Sequence, residues 1–270
     1  MNKNISKSIV SVFVFILFLI PIITSSLLDL KQRIKNEIVS EQERAKKEAE
    51  DKIYLTGRFD PAQREDFVLI PSQYTLGGNK MYLRKETYKA YLEMQNAADK
   101  DGIDLKIASA TRNFDYQKDI WDKKWSGVTI VDGQNLSKSV PNEQERFKKI
   151  LEYSAAPSTS RHHWGTDIDI NDANLGYFKT EKGKKVYEWL VQNAYQFGFC
   201  QTYNLKGSDR STGYNEEKWH WSYFPLSRIF TQEYKNLIKE EDIKGFQGDK
   251  YVSAFNLIDD YVLAINPDCI

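Results

Sequence analysis

The chain carries three histidines in 270 residues, and all of them stand beside carboxylates in two short strings, SRHHWGTDID (160–169) and NEEKWHW (215–221). A catalytic zinc takes three protein ligands from His, Asp or Glu and leaves a fourth position for water. Two imidazoles and one carboxylate leave such a site with a net charge of about +1, which keeps bound water acidic near neutrality. His162 and His220 with one aspartate can supply that set. The fold must then close the segment between the two strings onto one point, and no other feature of the sequence restricts its topology as much.

The residues around the histidines are consistent with that demand. Gly165 would let the backbone turn sharply between histidine and aspartate. T-D-I-D-I-N alternates as a strand does, with Ile168 and Ile170 on the core face and Asp167 and Asp169 on the other. Spacing alone leaves both aspartates open as the ligand. Glu217, three residues before His220, is placed to take a proton from water and pass it to a leaving amine. Glu216, beside it on a strand, would point elsewhere, and Trp219 is expected in the core. A lone histidine is more often structural than ligating, so His163 is expected to pack or to support a ligand.

Lys plus Arg and Asp plus Glu both number 38, a formal net charge of zero. That balance argues against a nucleic-acid partner, which calls for a basic excess. The two cysteines, Cys200 and Cys269, fit no metal-binding spacing. Cys200, in the run FGFC, reads as a small buried hydrophobe, and pairing with Cys269 is left open.

At the N-terminus Lys3 and Lys7 precede an uncharged, mostly apolar stretch, residues 9–28. Its length suits a membrane-spanning signal anchor, and the lysines orient the remainder outward. The rival expectation is a cleavable signal, with Pro21 ending its apolar part and Thr24, Ser25 and Ser26 offering a cleavage site. Either way the bulk of the chain is expected outside the cytoplasm, periplasmic or on the outer face of the cytoplasmic membrane, and held to it through residues 9–28 if these are kept.

Residues 29–52 follow as a charged helix with a thin apolar stripe, a solvated spacer. A globular domain is expected over 53–232, with a C-terminal extension, 233–270, packed on it. Helices are predicted over 84–100, 115–125, 142–153 and 182–197, and strands over 103–110, around 167–170, at 199–203 and around 219–224, with VTIV (128–131) as a further short strand. Helices and strands mix without βαβ regularity, which indicates an α+β fold.

The string S160-x-H162-x-x-G165-x-x-x-D169, followed by E217-x-W219-H220, resembles the zinc D-alanyl-D-alanine carboxypeptidases, the family of the vancomycin-resistance D,D-carboxypeptidases and dipeptidases. The resemblance covers roughly residues 84–225. It implies a Hedgehog/DD-peptidase-like fold, a small central antiparallel sheet flanked by helices around a Zn2+ site. It implies His162, Asp169 and His220 as zinc ligands and Glu217 as catalytic base, and so prefers Asp169 over Asp167. A further match, S109-A-T-R112-N-F-D-Y-Q117, implies that Arg112 polarises the scissile carbonyl or holds substrate, and that Gln117 and Ser160 help bind the peptide terminus. Asp167 departs from the pattern, which usually has alanine there.

The implied activity is removal of C-terminal D-alanine from a peptidoglycan stem peptide by a monomeric zinc carboxypeptidase. An L,D- or endopeptidase with the same site, and a non-catalytic wall-binding module, are the alternatives. The presence of Glu217 with all three ligands speaks against the last.

Overall fold

The structure is a computed structural model in which backbone is described from residue 3 and side chains from residue 29. The side chains of the signal or anchor expected at residues 9–28 therefore lie outside what is described, and that expectation stays an expectation. Among those described, no helix is long and apolar enough to cross a membrane. The chain forms two compact units, residues 1–50 and 51–270.

Helix α1 (Lys3–Leu55) makes up the first unit and reaches the opening of the second. Its side chains over 29–50 are exposed, including Leu30, Ile34 and Ile38 of the apolar stripe. Same-face pairs such as Lys46–Glu50 at 3.9 Å line it.

In the second unit the elements are β1 (Phe67–Leu69), β2 (Tyr82–Arg84), α2 (Lys85–Lys100), β3 (Ile107–Ser109), α3 (Phe114–Trp125), α4 (Leu136–Ser139), α5 (Glu143–Ile150), β4 (Asp167–Ile170), α6 (Glu181–Asn193), β5 (Phe199–Gln201), β6 (His220–Tyr223) and α7 (Phe224–Leu237). The central sheet is antiparallel, in the order β3-β4-β6-β5. The α+β expectation with a small antiparallel sheet holds.

Alternation along the strands divides the core in two. Ile107, Ile168, Ile170, Phe199 and Trp221 point to one face and pack with Tyr91, Met94 and Ala98 of α2 and Val186 and Leu190 of α6. The other face carries Asp167, Asp169, His220 and Ser222, all buried. Beyond it lies a second cluster, in which Trp121 and Trp125 of α3 meet Phe147 and Ile150 of α5 and Tyr234 of α7. Residues after α7 complete this cluster through Ile243, Phe246, Val252, Leu257, Val262 and Ile265.

Two strand expectations fail for identifiable reasons. Of 103–110 only Ile107–Ser109 pairs as a strand. The Leu105 and Lys106 N–H groups instead donate to the Gln95 and Asn171 side-chain oxygens, at 3.0 and 2.7 Å. VTIV is loop: Gly127, Asp132 and Gly133 turn the chain at positive φ around it, Val128 and Ile130 are exposed, and only Val131 bridges, to Gln134.

Cys200 is buried, but not as a free thiol: it is bonded to Cys269. The bond ties the chain's end to β5 across a separation of 69 residues. Chain entropy assigns a loop of that size roughly 4 kcal/mol of stabilisation. A Cys200→Ala/Cys269→Ala double variant is expected to lose about 2–5 kcal/mol in denaturant unfolding. A midpoint unchanged from the parent chain would show that the tail is held by packing alone.

Candidate metal centre and its cavity

Strand register sets two of the candidate ligands side by side. Asp169 of β4 is paired directly with His220 of β6. His162 comes from the 3-10 turn Arg161–Trp164 that leads into β4. That turn ends at Gly165 in the left-handed region, φ +72°, and a Cβ there would lie 2.5 Å from the Phe67 ring. The sharp reversal expected at this glycine is therefore present and sterically reserved for it. Trp164 anchors the turn: its indole N–H donates to the Leu55 carbonyl at 3.1 Å, and its own carbonyl accepts from the Tyr54 hydroxyl at 2.6 Å.

One donor atom each from His162, Asp169 and His220 lies within 4.8 Å of the others, and all three side chains are buried. His162 Nε2 is 3.3 Å from Asp169 Oδ1, and His220 Nδ1 is 3.9 Å from the same oxygen. Ligand bonds of about 2.0–2.1 Å in a tetrahedron put donor atoms about 3.3–3.4 Å apart, so the spacing suits a zinc-sized ion. The Nδ1 of His162 lies 2.8 Å from the Ala110 carbonyl, which can only accept, so that nitrogen carries the proton. Its Nε2 then aims a lone pair at a carboxylate oxygen, and neither atom has a hydrogen-bond partner among the described residues. Two facing lone pairs in a buried place repel unless a cation joins them. The donor set fits a divalent metal on that observation.

Charges around the centre are strongly coupled. Burial alone would raise Asp169, but the charged Arg112 and His220 beside it hold it well below the usual carboxylate range. For Asp167 burial is likewise outweighed, by Arg161 and His220. Burial works against a charged His220, yet hydrogen bonds to Asp167 and Glu217 raise it to about 9. Burial, then Arg112, pushes His162 down and keeps it neutral. Glu217 is raised by burial, with His220 opposing.

Glu217 meets the centre as expected, with Oε2 at 3.0 Å from His220 Nδ1. The route differs from the strand expected. Glu217 lies in the turn before β6, where the His220 N–H donates to the Glu217 carbonyl at 3.3 Å. Glu216 does point away, its carboxylate 3.5 Å from the Tyr187 hydroxyl. Trp219 is buried, but against Tyr153 and Phe178 at the wall of the cavity and outside the two apolar clusters.

That cavity measures about 380 Å³ and opens directly onto the centre. Arg112, Gln117 and Ser160 all line it, so every site residue read from the sequence converges on one place. Arg112 Nη1 is 4.0 Å from Asp169 Oδ2. Gln117 donates through Nε2 to the Ala155 carbonyl at 2.8 Å, leaving its buried Oε1 without a partner. Ser160 stands at the N-cap of the His162 turn but makes no side-chain capping bond. His163 stays off the cavity. Its ring, held neutral by burial that lowers it to about 3, donates through Nδ1 to the Arg112 carbonyl at 2.5 Å. Gly57 passes over that ring with φ +74°, and a Cβ there would sit 2.4 Å from Nδ1.

Lys124, Tyr203 and Tyr214 also line the cavity and were not anticipated. Lys124 had a readable signal, two helical turns after Gln117 on the same face of α3, and it donates to the Ser154 hydroxyl. The tyrosines arrive from loops and carried none.

Three ligands grouped on one side, a cavity on the other and a carboxylate beside them define a metal centre of the catalytic type, not a closed structural site. The VanY family profile, described as D-alanyl-D-alanine carboxypeptidase, matches residues 80–226, more than half of the chain. The chain belongs to that family. It is 28% identical over 178 residues to a D-alanyl-D-alanine carboxypeptidase of Enterococcus faecalis, a match taking in 64% of this chain and only 61% of the enterococcal protein. Among solved structures it resembles VanYB in complex with D-alanine-D-alanine (28% identity, 66% of this chain and 93% of that one, TM-score 0.45). It also resembles the LdcB LD-carboxypeptidase (26% identity, 68% and 81%, TM-score 0.46).

Proposed function

We propose that this chain is a zinc-dependent D,D-carboxypeptidase that removes the C-terminal D-alanine of peptidoglycan stem peptides. The observation that carries the reading is the convergence of His162, Asp169 and His220 on one point with Glu217 alongside, at the floor of the cavity. Family membership supports the same chemistry.

His162 through Nε2, His220 through Nδ1 and the Asp169 carboxylate would hold the ion. Zinc, when bound, supplies Lewis acidity toward a carbonyl and toward water. Glu217 takes the proton of the attacking water as the C–O bond forms, and returns it to the amine as the C–N bond breaks. Its raised pKa suits both halves of that exchange, since the group must hold a proton between the two steps. Arg112, beside Asp169, presents a fork of donors toward the cavity for the carbonyl oxygen or a substrate carboxylate. Gln117, with Oε1 unpartnered, and Ser160 are placed to bind the peptide terminus.

Export, expected from residues 1–28, would put the enzyme where such peptides lie. The Cys200–Cys269 bond supports an oxidising compartment.

Incubating the full chain, with zinc, with stem peptides ending in D-alanyl-D-alanine, with the shortened peptide carrying one D-alanine, and with cross-linked muropeptides separates the readings by product mass. Loss of one alanine from the first substrate alone is expected. Release from the shortened peptide only would make the chain an L,D-carboxypeptidase. Cleavage of cross-links would make it an endopeptidase, and zinc binding with no cleavage a binding module.

A further inference from the structure

The most buried acid of the site has no part in the chemistry above. Asp167 lies on β4 two residues before Asp169, on the same sheet face, and is completely inaccessible. Register pairs it with Ser222, one step of the same sheet face along from the Asp169–His220 pair. Its Oδ1 reaches His220 Nε2 at 2.9 Å, and its Oδ2 accepts from the Thr166 hydroxyl at 2.6 Å. Arg161, equally buried, approaches through Nε at 3.5 Å.

We infer that Asp167 is a positioning residue that dictates which nitrogen of His220 faces the metal. An ionised carboxylate can only accept. Its contact therefore keeps a proton on His220 Nε2, so that Nδ1 is the nitrogen left to give up its proton to a metal. That is the nitrogen turned toward Asp169 and Glu217, at 3.9 and 3.0 Å. His162 is treated in the opposite sense: the Ala110 carbonyl claims its Nδ1 and frees Nε2. The two imidazoles thus present different nitrogens, each assigned by the acceptor behind it, and such supports orient a ligand and raise its basicity.

Arg161 explains why a carboxylate can be kept there. Its guanidinium also meets the Thr231 hydroxyl at 2.8 Å and stacks on Trp164 at 4.6 Å, and Asp167 is its one ion-pair partner among the described residues. Each buried charge answers the other. The acid can therefore stand behind His220 without itself being drawn into the ligand set.

The inference rests on the metal reading, and the experiment separates the two. In the zinc-loaded wild-type chain, long-range proton–nitrogen NMR of the imidazoles should show His220 protonated at Nε2 and metal-bound at Nδ1. Zinc affinity by chelator competition should fall 10- to 100-fold in Asp167→Asn. It should fall similarly in Arg161→Gln/Asp167→Asn, which removes both buried charges and guards against misfolding from an unpaired arginine. A role confined to stability would shift the melting temperature of these variants and leave affinity and tautomer in place. Metal on His220 Nε2 in the wild type, or zinc bound within twofold of wild type by folded Asp167→Asn, would overturn the inference. A wild-type chain that binds no zinc would instead overturn the metal reading.

Discussion

Replacing Glu217 with Gln is expected to lower kcat for D-alanine release by 10²- to 10⁴-fold while zinc stoichiometry stays at the wild-type value. General acid–base catalysis by one positioned group contributes about that factor. The substitution is nearly isosteric, so the side chain keeps its place 3.0 Å from His220. What is lost is the capacity to take and return a proton. Measured zinc with turnover reduced to that degree places Glu217 in the proton transfers. Turnover within threefold of wild type would remove it from them, whatever the zinc content.

The second large effect concerns the ligands themselves. His162→Ala and Asp169→Asn should each weaken zinc binding by more than the 10- to 100-fold that loss of a supporting hydrogen bond costs, and turnover should disappear with the metal. Thermal stability provides an independent readout. A ligand that binds the folded state alone stabilises it by mass action, so a chelator should lower the wild-type Tm and leave the Tm of both variants where it was. Asp169→Asn also bears on the assignment of the aspartates. Asp167 is occupied by Arg161, Thr166 and His220, so it should not substitute. Wild-type zinc affinity in Asp169→Asn would show that it does.

Much of this site was legible because local pattern and chemistry coincide in it. The alternation T-D-I-D-I-N placed Ile168 and Ile170 in the core and both aspartates on the far face, as found. Helical spacing located α2, α3, α5 and α6 within a few residues. The failures lie where a partner distant in sequence decides. Gln95 and Asn171 take the backbone donors that would have extended β3, and no local pattern reveals that. The exposed Val128 and Ile130 had the composition of a strand but no neighbouring strand to pair with. Cys200 and Cys269 are too far apart in sequence for spacing to decide their pairing. Asp167 stands out in the sequence as a departure from the family pattern, and its ion pair with Arg161 is local, six residues back along the chain. Only the fold shows that the same carboxylate also reaches His220, because that contact depends on the register of β4 against β6.

The central claim is that His162, Asp169 and His220 share one zinc ion, and diffraction at the zinc absorption edge on crystals of the zinc-loaded chain tests it most directly. The account predicts a single anomalous peak about 2.0–2.1 Å from His162 Nε2, His220 Nδ1 and an Asp169 oxygen, facing the cavity lined by Arg112 and Glu217. A peak elsewhere, or none among these three side chains, would contradict it.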